Sequence, residues 1–579
     1  MLEDNLNKAF SLPIDFCSNT YETPNNLFED LELIETHKDV SNVALYEHLL
    51  NPQTPFGYLT LEKWSKKYTT NTDFLKDTQK MLAKNKPIDK QRLKTISDAW
   101  VSYKGIKEDE NFIDNYQYIN WDKLRFLNTS IVFLTIISIY SILSPLLNLL
   151  APLLLLIVPF LIMKLKGLTL SLKNYVTLLV ASLKRHSFGK LLTDWSTIPS
   201  GQKIYLIIML GMYVYNIYQN AISCYQFYKN TSTINSDIKN IKNFLGYTRE
   251  KVGEHILKID KLKTYKSYQN YLQEKLENID KLYLSLDKVP LASFNPKKIP
   301  YIGYTMKEYY KLYDDKNIED TLLFSFGFHG YLDNIGEISS KVSQKILNKT
   351  RYIKKKKAVL KFNKAYYPVI QHQQKESKTV PNDIDLKTNK LITGPNASGK
   401  TSLLKTTITN VLLSQQFGFG YFNKGVLTPF HHIHCYLNIP DTSSRDSLFQ
   451  AEARRCLEIL TKIQDNNKEK HFCIFDELFS GTNPYEAISS ANSYLTHISS
   501  SPNIKFLLTT HFITLCKQLD DNANISNVNM KTNIVNDSAV YHYKLQNGIS
   551  EIKGGITVLK QLGYPQKIID DTNKAMDKF

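Results

Sequence analysis

Disulfide and zinc frameworks are missing from this chain of 579 residues: its six cysteines, Cys17, Cys224, Cys435, Cys456, Cys473 and Cys516, include no C-x-x-C pair. They read as ordinary thiols of a reducing compartment. Also missing is an apolar run behind Met1, where Glu3 and Asp4 come at once, so no secretion signal is expected. Acid is scarce against base: 55 Asp and Glu face 72 Lys and Arg, a net charge of +17. That imbalance suits an anionic partner, nucleic acid or an acidic membrane surface. Lysines spread along the whole chain fit a compositional bias toward Lys, Asn, Ile and Tyr equally well. Length argues for several domains, since one hydrophobic core stops growing near ~250–300 residues.

One stretch lacks charge altogether. Ile131 to Met163 holds no Asp, Glu, Lys or Arg, and includes Pro145, Pro152 and Pro159. It exceeds the ~20 apolar residues that one bilayer crossing needs. The segment from Ser144-Pro145 to Asn148 reads as a hairpin tip between two short spans, or the whole stretch reads as one kinked span. Lys164, Lys166, Lys173, Lys184, Arg185 and Lys190 follow, a cluster expected to face the cytoplasm. A second apolar stretch, Ile204 to Ile222, contains Gly211, Asn216 and Gln219 and reads as a weaker span, an interfacial helix or a buried one. The expectation is a membrane protein with one or more passes.

Residues 1 to about 120 are polar and helical in pattern. Thr54-Pro55-Phe56-Gly57 reads as a turn between two helices. From Thr231 to Lys288 apolar residues recur at helical spacing, among them Ile234, Ile238, Ile241, Leu272, Leu276 and Ile279, which predicts long antiparallel helices. The Lys354–Lys357 run reads as a solvated face before a strand, or as a phosphate-contact patch. From about residue 358 onward strand and helix signals alternate, as in an α/β domain.

The most informative stretch is Leu391 to Leu404, LITGPNASGKTSLL, which reads as strand, glycine-bounded loop and helix start. Gly394, Gly399, Lys400 and Thr401 fit the P-loop spacing G-x-x-x-x-G-K-[ST], with Pro395, Asn396, Ala397 and Ser398 between the glycines and Ser402 beyond. Glycines let successive N–H groups turn inward on phosphate oxygens, and the helix start adds its positive dipole end. Lys400 is suited to the β- and γ-phosphates and Thr401 to Mg²⁺. His471 to Glu477, HFCIFDE, is an apolar strand ending in two carboxylates. Asp476 suits the Mg²⁺ shell and Glu477 the polarising of an attacking water. A third strand, Phe506 to Thr510, ends in His511, which can sense a γ-phosphate by hydrogen bonding.

These residues resemble the MutS family of DNA mismatch-repair ATPases, within the ABC ATPase superfamily. The likeness rests on Val380-Pro381-Asn382-Asp383, Thr393-Gly394-Pro395-Asn396, Asp476-Glu477 with Gly481-Thr482, and Thr509-Thr510-His511-Phe512. It continues in Tyr543-Lys544-Leu545 with Gly548, and in Gly555-Ile556, Leu562-Gly563 and Pro565. Ser447, Phe449 and Glu452 fall where the family has its S-T-F…E segment. The resemblance implies Mg²⁺ and ATP as cofactors, Asn382 among the nucleotide-binding residues, Glu477 and His511 as catalytic, and DNA as partner. It also implies a homodimer through the ATPase domain, with Ser447 facing the other subunit's nucleotide; a plain helix N-cap is the alternative for Ser447. The likeness is strong over residues 364–579. It reaches back through Leu31-Glu32-Leu33, Ala44-Leu45-Tyr46 and Thr54 to Gly57 with Trp64, which resemble the family's core domain and make the later helices its lever arms. Departures are the missing Phe-x-Glu wedge, Ala397-Ser398 within the loop, Thr379 at the family's adenine-stacking position, and Ser480 before Gly481.

The fold expected is α plus α/β: a helical core and lever region with an inserted transmembrane segment, then a C-terminal P-loop (ABC-type) α/β ATPase domain. The domain reading is 1–120 core-like, 121–225 membrane-associated, 226–345 lever-like and 346–579 ATPase, the last on the cytoplasmic side. The function implied is a MutS-like dimeric clamp that binds and hydrolyses ATP and binds mismatched or structured DNA. The alternatives are a membrane-tethered organiser switched by ATP, or an ABC-type protein with no DNA role. A transporter-type ABC protein calls for L-S-G-G-Q shortly before the acidic strand, and Leu457 to Lys470 carries none.

Overall fold

The computed structural model describes the chain apart from residues 1, 37–42, 84, 86, 168–170, 186–198, 291–299, 370–378, 438–447, 536–537, 551, 553–555, 557–558, 561 and 577–579. The chain divides into two compact units, Met1–Leu93 with Glu250–Leu276 and Leu323–Phe579, and Lys94–Arg249 with Glu277–Leu322. Residues 1–93 thus cluster with the C-terminal region and not with the apolar segment that follows them in sequence.

In the first unit a six-stranded sheet runs in the order Ser538–Asn547, Ile525–Val535, Asn389–Thr393, Ile504–Thr509, His471–Asp476 and His432–Tyr436. The last five strands are parallel and the hairpin strand Ser538–Asn547 is antiparallel to its neighbour. Strands such as Phe472-Cys473-Ile474-Phe475 are apolar on both faces because helices cover both sides, as a parallel sheet requires. A second sheet of five strands, Asn382–Asp385, Leu360–Ala365, Lys424–Leu427, Asn348–Tyr352 and Phe419–Gly420, lies beside it in sequence and alternates buried with exposed residues. The Lys354–Lys357 run is exposed just before the second of these strands, a solvated face as expected.

The N-terminal residues pack directly on this framework. A two-stranded ribbon pairs Thr20–Glu22 with Lys67–Thr69. Asn26 donates to the Cys435 carbonyl at 2.7 Å, Tyr68 donates to the His431 carbonyl at 2.9 Å, and Gln416 donates to the Trp64 carbonyl at 2.9 Å. The turn expected at Thr54 to Gly57 is corrected. Pro55 and Gly57 begin the helix Pro55–Lys66, which Thr54 caps by accepting from Gly57 N at 3.0 Å. Proline suits the first helical position because its missing N–H has no partner there to lose. The chain reverses earlier, at Asn51, whose φ is +38°.

In the second unit Ile131–Leu165 is one helix of 35 residues containing Pro145, Pro152 and Pro159. The hairpin tip expected between Ser144 and Asn148 is therefore not formed. Two of the carbonyls that these prolines leave without an N–H partner are met in other ways. Ser144 Oγ donates to Ser141 O at 3.3 Å, four residues before Pro145, and Tyr213 OH donates to Asn148 O at 2.8 Å, four before Pro152. The long helices expected between Thr231 and Lys288 are Ser200–Ile259 and Lys266–Asp287. Helix Ile302–Asp314 meets the start of the Ile131 helix closely: a Cβ on Gly303 would collide with the Ile131 carbonyl. Around it Phe112 stacks on Tyr313 at 4.2 Å, and Tyr309 donates to Asp237 at 3.0 Å.

Candidate functional site

Three parallel strands end side by side, with Asp476 level with Thr509 and Thr509 level with Ile392. Their carboxyl ends deliver the loop 394–399, the acidic pair Asp476-Glu477, and Thr510-His511 to one place. Ligand sites in open parallel sheets lie at such strand ends. The loop turns on residues with positive φ, Gly394 at +151°, Ala397 at +62° and Gly399 at +94°, and passes into helix Lys400–Gln416. A side chain at Gly399 would be strained by that φ, and its Cβ would also lie 3.1 Å from the Tyr543 ring.

Lys400 Nζ donates to Gly394 O at 3.0 Å and Pro395 O at 3.3 Å, and lies 3.1 Å from His511 Nε2. Burial lowers its pKa, with Glu477 and Asp476 opposing. Ser398 Oγ is buried without a hydrogen-bond partner. Thr401 Oγ1 donates to Asp476 Oδ2 at 2.8 Å, and Thr509 donates to the other Asp476 oxygen. Glu477 Oε1 lies 2.9 Å from His511 Nε2, and this contact, against the opposing effect of burial, holds the Glu477 carboxyl below the usual range. Glu477 and Phe479 both have left-handed backbones, φ +52° and +60°. A cavity of about 200 Å³ beside the loop is lined by Thr393, Asn396, His511, Tyr541 and Ser550 among others.

Lys400, Thr401, Asp476, Glu477 and His511 are therefore brought together, with Gly394, Pro395, Asn396, Ala397, Ser398 and Gly399 forming the loop and Ser402 in the first turn of its helix. Asn382 reaches the loop only indirectly. Its amide donates to Tyr543 O at 2.9 Å and its oxygen accepts from Leu545 N at 2.8 Å, so it clamps the strand that carries Tyr543. Ser447 lies outside the described residues. Glu452, matched only by family resemblance above, is buried and accepts from Ser480 N at 3.1 Å, Ser480 Oγ at 3.0 Å and Gly481 N at 3.0 Å. It thereby fixes the turn that follows Glu477.

Sequence reasoning gave Tyr543 no role at the site, although its hairpin was recognised. It also missed the opposite end of the same sheet. There His434 Nε2 lies 3.1 Å from His471 Nδ1, His471 Nε2 lies 3.1 Å from Asn466 O, and His432 Nε2 lies 2.6 Å from Glu469. Burial lowers His471 to about 4 and His434 well below its ordinary value. The signal available was His-x-His in one strand with a third histidine opening its neighbour. Among the described residues no group of three His, Cys, Asp or Glu side chains has metal-binding geometry.

Residues 390–579 match the family model for MutS domain V. The DNA mismatch repair protein MutS of Phocaeicola vulgatus is 30% identical over 229 residues, 38% of this chain and 26% of that protein. The MutS proteins of Bacteroides thetaiotaomicron and Staphylococcus haemolyticus are 30% and 24% identical, over 38% and 40% of this chain and 26% and 27% of their own lengths. The match thus spans about a quarter of these relatives and lies within the unit that holds the site.

Proposed function

We propose, from the match of residues 390–579 to MutS domain V and the likeness to MutS proteins, that the protein binds and hydrolyses ATP with Mg²⁺, working as a dimer that closes on DNA. The observation that carries the reading is the meeting of Lys400, Thr401, Asp476, Glu477 and His511 from three separate strand ends. The residues present fit a triphosphate and a cation: a buried hydroxyl without partner at Ser398, an amine at Lys400 held only by carbonyls and His511, and a hydroxyl–carboxylate pair at Thr401 and Asp476. When bound, the Mg²⁺ nucleotide supplies the phosphoryl group and the cation that neutralises its charge.

Lys400, its amine already partly stripped of water, would take phosphate oxygens in place of the Gly394 and Pro395 carbonyls. Ser398 Oγ and the inward loop N–H groups donate to the same oxygens. Thr401 and Asp476, now paired with each other, would hold the cation. Glu477, kept ionised by its contact with His511, orients a water and accepts its proton. Tyr543 offers a flat ring beside Gly399 for a base. The dimer and the DNA partner are carried over from the family, and the net charge of +17 supports an anionic partner.

The test is the ATPase rate of the full-length chain with homoduplex, mismatched and branched DNA at fixed salt, since phosphate contacts are steeply salt dependent. Stimulation by one of the DNAs, lost in Lys400→Ala, is expected. A rate indifferent to every DNA would replace the clamp with an ATP-switched organiser of protein contacts.

A further inference from the structure

We propose that the helix Ile131–Leu165 and the first part of the helix Ser200–Ile259 form one antiparallel hairpin embedded in a lipid bilayer, so that the weaker apolar stretch at 204–222 is the second arm of a paired insertion. The two arms are joined at two levels: Tyr213 donates to the Asn148 carbonyl at 2.8 Å, and Cys224 Sγ lies 3.5 Å from the Ile142 carbonyl. Residue numbers rise along one arm as they fall along the other, which makes the pair antiparallel.

Three observations name lipid as what covers them. On the second arm Ile204, Ile207, Ile208, Met209, Leu210 and Val214 are all exposed. At ~100° per residue these positions lie all around the helix. A protein partner would cover one face, whereas hydrocarbon covers every face. The first arm adds Val132, Ile136, Tyr140, Leu143, Leu146 and Leu149, all exposed as well. Next, the carbonyls freed by Pro145 and Pro152 take hydroxyl donors from Ser144 and Tyr213 in place of water. Prolines inside a helix persist in hydrocarbon when side chains or a neighbouring helix satisfy the backbone in this way. Dimensions also agree: from Ile204 to Tyr228 the arm runs ~36 Å at ~1.5 Å per residue, against a hydrocarbon core of ~30 Å.

The ends mark the two interfaces. At the base Trp121, Phe126, Tyr225 and Tyr228 are exposed, and Asn230 donates to the Asn115 carbonyl at 2.6 Å. Trp and Tyr rings, with their polar edges, sit at headgroup level. At the other end Lys164, Lys166 and Lys203 provide charges for phosphate headgroups. Because the first arm is a single helix, this basic end emerges on the side away from Trp121.

The inference stands apart from nucleotide binding and is tested with the full-length chain in vesicles of phosphatidylcholine and phosphatidylglycerol. Cys17 and Cys224 are replaced by serine, and a spin label is placed in turn at Met209→Cys and Trp121→Cys. The protein is expected to float with the vesicles and to resist carbonate extraction. The label at 209 should collide with oxygen and be shielded from an aqueous nickel chelate, and the label at 121 should show the reverse, so that the collision ratio changes several-fold. Release by carbonate, equal collision ratios at the two sites, or a discrete soluble oligomer formed without detergent would overturn it; the last would assign the arms to a second copy. ATP binding in the same preparations reads the nucleotide site separately.

Discussion

The two ends of the six-stranded sheet carry comparable numbers of titratable groups and use them in opposite ways. At the carboxyl ends His511 is 41% exposed in its side chain and stands between an amine and a carboxylate. At the amino ends His434 and His471 are buried, their rings 5.4 Å apart and nearly parallel. The first group is held by carbonyls and left-handed turns that bound phosphates could take over. The second is closed on itself and on the Asn466 carbonyl. Residue type does not separate a reactive histidine from a packing histidine; access to water and the charge of the neighbours do.

The contrast can be broken first at a pair of lysines. Lys400→Ala should lower ATP affinity by at least two orders of magnitude, ~3 kcal/mol, as removal of a desolvated charge partner does. Lys390, near the start of the strand that feeds the loop, donates to Ser526 at 2.8 Å, and Lys390→Ala should leave affinity unchanged in the same fluorescence titration. Equal losses would abolish the distinction between the two ends. Glu477→Gln should slow single-turnover hydrolysis by ~10²–10⁴-fold while ATP stays bound, the range for a general base. An unchanged rate would move that role to another group.

At the other end His471→Phe should cost ~1–3 kcal/mol in denaturant unfolding, because His434 and the Asn466 carbonyl lose their partner. ATP affinity should not move. The same variant sharpens the pH dependence. His471 titrates near 4 in the fold and near ~6.5 in the unfolded chain, so between those values the unfolded state binds more protons. Stability is therefore full above pH ~6.5 and falls as the pH drops toward 4. His255 and His329, lowered by burial to about 3, extend the loss further into acid. His471→Phe should flatten the upper part of this slope in urea midpoints taken from pH 7 to 4. The smallest effect expected is from Asn382→Ala, a several-fold weaker ATP affinity with unchanged hydrolysis of bound ATP, since it acts on the nucleotide only through Tyr543.

The carboxyl-end site was legible because its chemistry is local in sequence. A loop that must turn on positive φ favours Gly394 and Gly399, and the acidic end of its apolar strand marks Asp476. The amino-end histidines, the clamp at Asn382 and the packing of the N-terminal residues on the C-terminal sheet were not legible, because each depends on contacts across long separations. Asn26 and Cys435 lie 409 positions apart. Proline misled twice, because a proline does not by itself end a helix. Pro145 suggested a hairpin tip, yet the helix runs through it and the carbonyl it frees accepts from Ser144 Oγ. Pro55 suggested a loop, yet it opens a helix whose N-cap is Thr54.

The ring that lies over Gly399 belongs to a strand reached late in synthesis, and Tyr543 follows the asparagine that fixes its backbone by 161 positions. A growing chain on the ribosome therefore exposes Gly394 to Thr401 long before the strand that covers them has emerged. On the proposed function, the nucleotide site is complete only once this last hairpin has joined the sheet.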